Sequence, residues 1–331
     1  DAILRQHAPY TYQDVGNQRV EVSSGFVLLD DQTIGFEVGT YDTSRPLIID
    51  PTLVYSTYLG SGSSAETIPN MAVDAQGHAY LFGQSQGLGY PTTPGAYDET
   101  FEGYTDVFVT KLNQDGTGLI YSTFIGGISG EVADGITLDA TGTVYVVGRT
   151  QSDDFPLTAG AYPANFPANI FLTKLNLAGN ALLYSTRLGP GEPSGIAVDE
   201  NGHAYITGNT TSAAFPVTVN AFQTNYTDGR EAFLQQVDTN ASGVAALVYS
   251  TFFGGGTAPT NIPHDQGTDI AVGGPGSVYI TGETMSSDMP TTPNAYDTSL
   301  GGHRDAFIAR FDTSQVGVAS LLYSSYLGGS T

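Results

Sequence analysis

The chain contains no cysteine and no tryptophan, and it sets only 10 Lys+Arg against 33 Asp+Glu in 331 residues. Without cysteine, disulfide staples, thiolate metal centres and cysteine nucleophiles are all excluded. A net charge of −23 repels phosphate backbones and anionic headgroups, which argues against nucleic acid and membrane surfaces as partners. The plain reading of that acidity is solubility. No run approaches the roughly 18 apolar residues of a membrane span, so membrane insertion is not expected, and no useful stretch carries a helical period. The opening Asp1-Ala-Ile-Leu-Arg5 has neither an initiator methionine nor the basic and apolar regions of a secretory leader, so a processed chain or a fragment is expected.

Glycine, at 42 residues, is abundant, and glycine reaches the positive φ angles that tight turns between short strands need. Hydrophobic residues make up 40% of the chain and its aromatics are evenly spread, which excludes a disordered chain. Most informative is an eight-residue phrase. Leu53-Val-Tyr-Ser-Thr-Tyr-Leu-Gly60 returns as Leu119–Gly126, Leu182–Gly189, Leu247–Gly254 and Leu321–Gly328. Its tyrosines stand at 55, 121, 184, 249 and 323, in steps of 66, 63, 65 and 74 residues. Such a period marks one supersecondary unit used repeatedly.

Three further segments recur between copies of the phrase. Met71-Ala-Val-Asp74, Ile136-Thr-Leu-Asp139, Ile196-Ala-Val-Asp199 and Ile270-Ala-Val-Gly273 read as a small-residue strand. Ala79-Tyr-Leu-Phe-Gly83, Val144–Gly148, Ala204–Gly208 and Val278–Gly282 read as its hairpin partner. In the Asp-x-x-Gly turn between them, Asp caps its own backbone and Gly takes the left-handed position. A proline-bearing loop follows: Tyr90–Tyr97, Phe155–Tyr162, Phe215–Phe222, Met289–Tyr296. The third strand is Asp106–Leu112, Asn169–Leu175, Glu231–Val237, Asp305–Phe311.

Four strands per unit of roughly 65 residues predict an all-β fold, a β-propeller, because one such sheet cannot bury both its faces alone. The small-residue strand belongs innermost and the Tyr-Ser-Thr strand outermost. Residues 51–331 form the propeller, with four complete blades at about 70–128, 134–190, 195–256 and 268–328 and a lone outer strand at 53–60. That spare strand predicts a ring larger than four, with more blades beyond Thr331. Residues 1–50 read as an N-terminal β-hairpin module, the tail of a larger domain, with hairpins through Val15–Gln18 and Asp30–Gln32. Pro46-Leu-Ile-Ile-Asp-Pro51 is expected to enter the propeller.

Ile196-Ala-Val-Asp-Glu-Asn-Gly-His-Ala-Tyr-Ile-Thr-Gly208 and its siblings, with Phe155-Pro156 and Phe215-Pro216, resemble the SBBP family of bacterial and archaeal β-propeller repeats. Gly35–Gly39 and Pro46–Pro51 look like the stretch that precedes such repeats in large secreted proteins. The resemblance implies an exported or surface-associated protein, extracellular or at the cell surface, and brings no catalytic residues with it.

Candidate chemistry is sparse. Gly83-Gln-Ser-Gln-Gly87 matches a nucleophile elbow in spacing, yet Leu88-Gly-Tyr-Pro91 cannot form the helix that an elbow requires, and the siblings Thr150, Thr210 and Thr284 make Ser85 a repeat position. His78 and His203 sit at equivalent turns of different blades, expected exposed and apart, so they form no zinc cluster. Calcium is the cofactor the sequence leaves open, at Asp153, Asp154 and Asp288 in the proline loops. Tyr90, Tyr97, Tyr162, Phe222 and Tyr296 are candidates for stacking on glycans or docking a protein; as plugs between blades they need no ligand. Asn209-Thr-Thr, Asn225-Tyr-Thr and Asn240-Ala-Ser fit the glycan-acceptor pattern. No outlier residue suggests a hydrolase at the axis. The expected role is therefore a non-enzymatic structural or adhesive scaffold, without catalytic residues, partnered by other protein subunits or by itself through exposed strand edges. The alternative is a carbohydrate- or protein-binding module.

Overall fold

The computed structural model describes residues 10–16, 18–30, 33–50, 55–60, 65–163, 169–227, 229–258 and 264–329. It divides into two compact units, Asp1–Tyr58 and Leu59–Thr331.

In the first unit, β1 (Tyr10–Val15) and β2 (Gln18–Glu21) form the hairpin expected across Val15–Gln18. β3 (Ser24–Asp30) and β4 (Thr33–Val38) form the second hairpin. Residues 46–50 belong to the first unit, and Pro51 lies outside the described residues. The centre of this segment is β5 (Ile48–Asp50), which pairs antiparallel with β1 as Tyr10↔Asp50 and Tyr12↔Ile48. The reason is the second edge of β1, whose ladder groups β2 leaves unpaired.

The second unit is four four-stranded antiparallel sheets, each with its strands in sequence order. Blade 1 holds β6 (Glu66–Val73), β7 (Ala79–Ser85), β8 (Asp106–Leu112) and β9 (Leu119–Ile125). Blade 2 holds β10 (Glu131–Leu138), β11 (Val144–Thr150), β12 (Ile170–Leu175) and β13 (Leu182–Gly189). Blade 3 holds β14 (Glu192–Val198), β15 (His203–Thr210), β16 (Glu231–Asp238) and β17 (Leu247–Phe253). Blade 4 holds β18 (Asp265–Gly274), β19 (Ser277–Thr284), β20 (Asp305–Asp312) and β21 (Leu321–Leu327). The first strands β6, β10, β14 and β18 pack one on the next, so the small-residue strand is innermost and the Tyr-Ser-Thr strand outermost.

The turn chemistry is as read. Asp74, Asp139 and Asp199 each accept two backbone N–H groups of their own turn, and Gly77, Gly142 and Gly202 sit at φ +80° to +86°. Opposite the glycine of each second strand the first strand carries a bulge, at Thr67/Asn70, Ala133/Gly135, Pro193/Gly195 and Gly267/Asp269. A Cβ at Gly83, Gly148, Gly208 or Gly282 would collide with the carbonyl oxygen at the start of that bulge, of Thr67, Val132, Glu192 or Gln266. The Tyr-x-x-Gly signature is thus the imprint of a bulge.

The core lies between blades. The second-strand tyrosine, two third-strand apolar residues and two phrase residues of one blade meet the next blade's third-strand phenylalanine and proline-loop residue. At the first junction these are Tyr80, Val107, Val109, Tyr121 and Ile125 against Phe155 and Phe171. At the second they are Tyr145, Ile170, Leu172, Tyr184 and Leu188 against Phe215 and Phe233. At the third they are Tyr205, Ala232, Leu234, Tyr249 and Phe253 against Met289 and Phe307.

The lone strand is a correction. Residues 53 and 54 lie outside the described residues, and Tyr55–Gly60 is not a strand. Each described blade already owns a fourth strand, so this copy finds no third strand to pair with among the described residues. Leu59 nonetheless packs with Tyr90, Phe101, Phe108 and Phe124, the relation that Ile125 has to Phe155 and Phe171.

Candidate functional site

The proline loops and the junction edges gather the candidate residues. Tyr90 is buried, its ring stacked 3.8 Å from that of Phe108 and its hydroxyl 2.8 Å from Thr110 Oγ1. Tyr97 and Phe222 are half-buried plugs: Tyr97 packs into the first junction, and Phe222 meets Phe253 and Phe311 in the third. Tyr162 packs against the second junction while lining a surface cleft. Tyr296 is 84% exposed and plugs no junction among the described residues.

Asp154 and Asp288 tie blades together. Asp154 Oδ1 accepts from Ile128 N at 3.1 Å, and Asp288 accepts from Thr257 N and Oγ1 at 2.8 and 3.0 Å. Oδ1 of Asp154 and both oxygens of Asp288 are thus engaged by donors. Asp153 is exposed and lines the Tyr162 cleft. No group of three His, Asp or Glu side chains that could hold a metal occurs among the described residues.

His78 and His203 are half-buried rather than exposed, because each ring pairs with its own turn aspartate, at 2.9 Å from Asp74 Oδ2 and 3.0 Å from Asp199 Oδ2. Burial alone would raise the Asp74 pKa, but hydrogen bonds from His78 and the ammonium of Lys111 outweigh it and hold the group near about 2. Ser85 is buried and donates to Gly87 O, with a turn and no helix after it. Of the glycan-acceptor asparagines, Asn209 is buried while Asn225 and Asn240 are exposed.

Two features escaped sequence reading. The first is a buried acid pair at the first junction. Asp106 and Glu131, both essentially inaccessible, lie side by side under Gly126. Thr150 Oγ1 donates to Glu131 Oε1 at 2.7 Å and Glu102 N to Asp106 Oδ2 at 2.6 Å. Asp106 Oδ1 has no donor among the described residues unless one carboxyl of the pair keeps a proton. Burial, then the neighbouring Glu131, push the Asp106 pKa up to about 7. At the second junction Asn169 and Gly191 occupy the corresponding positions, joined by an N–H···O bond of 2.8 Å, and a cleft of about 330 Å³ opens beside them, lined also by Glu192 and Arg230.

The second is Arg187, an outlier the repeat does contain. Its position in the phrase is otherwise Tyr58, Phe124, Phe252 and Tyr326. Arg187 donates to Ser152 O, while its buried Nε has no acceptor among the described residues. It shares a cleft of about 300 Å³ with Asp153, Thr158, Tyr162 and Thr186. The break in the aromatic column was the signal available in the sequence.

Residues 183–216 match the family described as Beta-propeller repeat (SBBP), and residues 2–52 match a domain of unknown function, DUF7948. No curated protein matches the chain. Among solved structures it is similar to the crystal structure of xylan β-1,4-xylosidase from Bacillus halodurans C-125, at 13% identity and TM-score 0.34. The match covers 93% of this chain and 54% of that one, so the chain spans about half that protein's length.

Proposed function

We propose, from the premise that this chain carries SBBP propeller repeats, that it is a non-enzymatic structural or adhesive scaffold exported to the cell surface or beyond. One observation carries the reading. The polar and aromatic residues that recur from blade to blade are taken up in holding blades together, as Tyr90, Tyr97, Phe222, Asp154 and Asp288 illustrate. A fold that commits its repeated side chains to its own junctions presents surface and edges, and its partners are other protein subunits. Antibody labelling of intact source cells tests this. Surface labelling, with loss of cell–cell or cell–surface adhesion on deletion of the gene, is the expected result; antigen confined to the cytosol refutes it.

A second reading rests on the Arg187 cleft. An aromatic ring, hydroxyls and a guanidinium suit a small acidic sugar, since Arg offers several donors in a planar fork. A glycan array on which an acidic glycan binds the chain but not Arg187→Ala supports this reading, and an array with no such binder removes it.

A further inference from the structure

Where blades 2 and 3 meet, several departures from the repeat fall on one spot. The link between the phrase glycine and the junction acid is 127–130 at the first junction and 255–264 at the third; before Gly191 at the second it is Pro190 alone. At the first junction the link reaches across to the proline loop, Ile128 N donating to Asp154 and Ser129 N to Ser152; at the third, Thr257 N donates to Asp288. At the second, Ala214 stands where those aspartates do, and Gly191 stands where Glu131 and Asp265 do. The changes belong together, because an aspartate at 214 facing so short a link would lack the backbone donor its siblings have.

Burial follows the same pattern. Ser152 and Ser286 are buried, as are the junction acids Asp106, Glu131, Glu231 and Asp265. Their counterparts Ser212, Asn169 and Gly191 are only half-buried, and all three line the cleft of about 330 Å³. That volume is at the small end of ligand pockets, which run roughly 300–1,000 Å³.

The wall of the cleft is made of hydrogen-bonding groups: the amides of Asn169 and Asn209, the hydroxyl of Ser212, the Glu192 carboxylate and the Arg230 guanidinium. Its charges balance. Glu192 lies 3.6 Å from Arg149 and 3.8 Å from Arg230, near enough to offset each other and too far for a well-formed hydrogen bond. A neutral ligand is therefore favoured over an ion. Adjacent hydroxyls match such a wall, since one hydroxyl can accept from Arg230 and donate to Glu192 at once. No aromatic ring is among the lining residues, so recognition runs through hydroxyls and not through stacking on a ring.

We propose that the cleft between blades 2 and 3 binds a neutral monosaccharide, whose adjacent hydroxyls bridge Glu192 and Arg230 and reach the amides of Asn169 and Asn209. The site shares no lining residue with the Arg187 cleft and does not depend on the scaffold reading.

Isothermal titration calorimetry of the full chain with glucose, galactose, mannose and xylose tests this. Saturable binding of at least one of the four, with a Kd of about 1 mM or tighter, is expected. Glu192→Ala and Arg230→Ala remove the two bridging groups at accessible positions, and each should weaken binding at least about tenfold. Arg187→Ala should leave it unchanged. The proposal is overturned by the absence of saturable binding to all four sugars, by binding that either bridging variant leaves intact, or by binding that Arg187→Ala abolishes. None of these results alters surface labelling or adhesion, so the scaffold reading stands or fails separately.

Discussion

At the scale of the residue, the junction acids are the groups whose surroundings alter their chemistry. Burial and the neighbouring Glu131 push the Asp106 pKa up to about 7, from about 4 in the unfolded chain. Its folded pKa is raised, so the stability it contributes is complete below about pH 4 and is lost as pH rises through about 7. Melting temperature should accordingly fall between pH 5 and pH 8. Asp106→Asn, which copies Asn169 of the second junction, should flatten that slope and raise melting at pH 8 by about 3–6 °C; calorimetry at several pH values checks both. Calcium is expected to shift melting by less than about 1 °C, because a site must offer several free oxygens, whereas one oxygen of Asp154 and one of Asp288 already accept backbone N–H bonds that tie blades together. Neither the acid pair nor Arg187 was read from the sequence. Carboxylates at 106 and 131 become neighbours only when blades 1 and 2 stack; Arg187 does break the aromatic column of the phrase in the sequence, but only the stack shows that this column faces a junction.

Individual strands and turns were the most legible level, because each repeat states its own hairpin. Asp74, Gly77 and Gly83 were read by their types and spacing, and all three have the expected turn or strand position. What sequence could not supply was the reason for the strand glycines, which lies in the bulge that presses a carbonyl against them. Gly208→Ala forces that carbonyl and strand apart and should cost about 2–3 kcal/mol. Gly243, at φ +63° with open space around it, should cost about 1 kcal/mol on the same change. Urea unfolding of the two variants compares them directly; equal losses would refute the bulge account. The pairing of β5 with β1 was not read, and Tyr55–Gly60 of the phrase is not a strand, since a strand needs a neighbour whichever residues it contains.

Across the whole propeller unit, stability comes from stacking blades, as in other repeat architectures where each unit leans on its neighbours. Equivalent residues should then differ according to whether a described blade is stacked on them. Leu234 is fully buried in the third junction, and Leu234→Ala should cost about 2–5 kcal/mol. Its counterpart Ile308 is on the trailing face of blade 4, and Ile308→Ala should cost about 1 kcal/mol or less in dilute solution. Denaturation of the dilute variants decides this, and equal costs would mean that the end face is covered.

The architecture was determined locally. A repeating phrase, an Asp-x-x-Gly turn and alternating apolar strands specify a four-stranded blade from short-range steric and hydrogen-bonding rules that one repeat contains in full. Everything that distinguishes one copy from another was decided by stacking. Tyr90 and Phe222 are covered and Tyr296 is not; Asp106 is driven toward neutrality; and the set Tyr279, Ala306, Ile308, Tyr323 and Leu327 remains accessible. Burial and charge interaction depend on which surface faces which, and that relation exists only between blades, not within the sequence of any one of them.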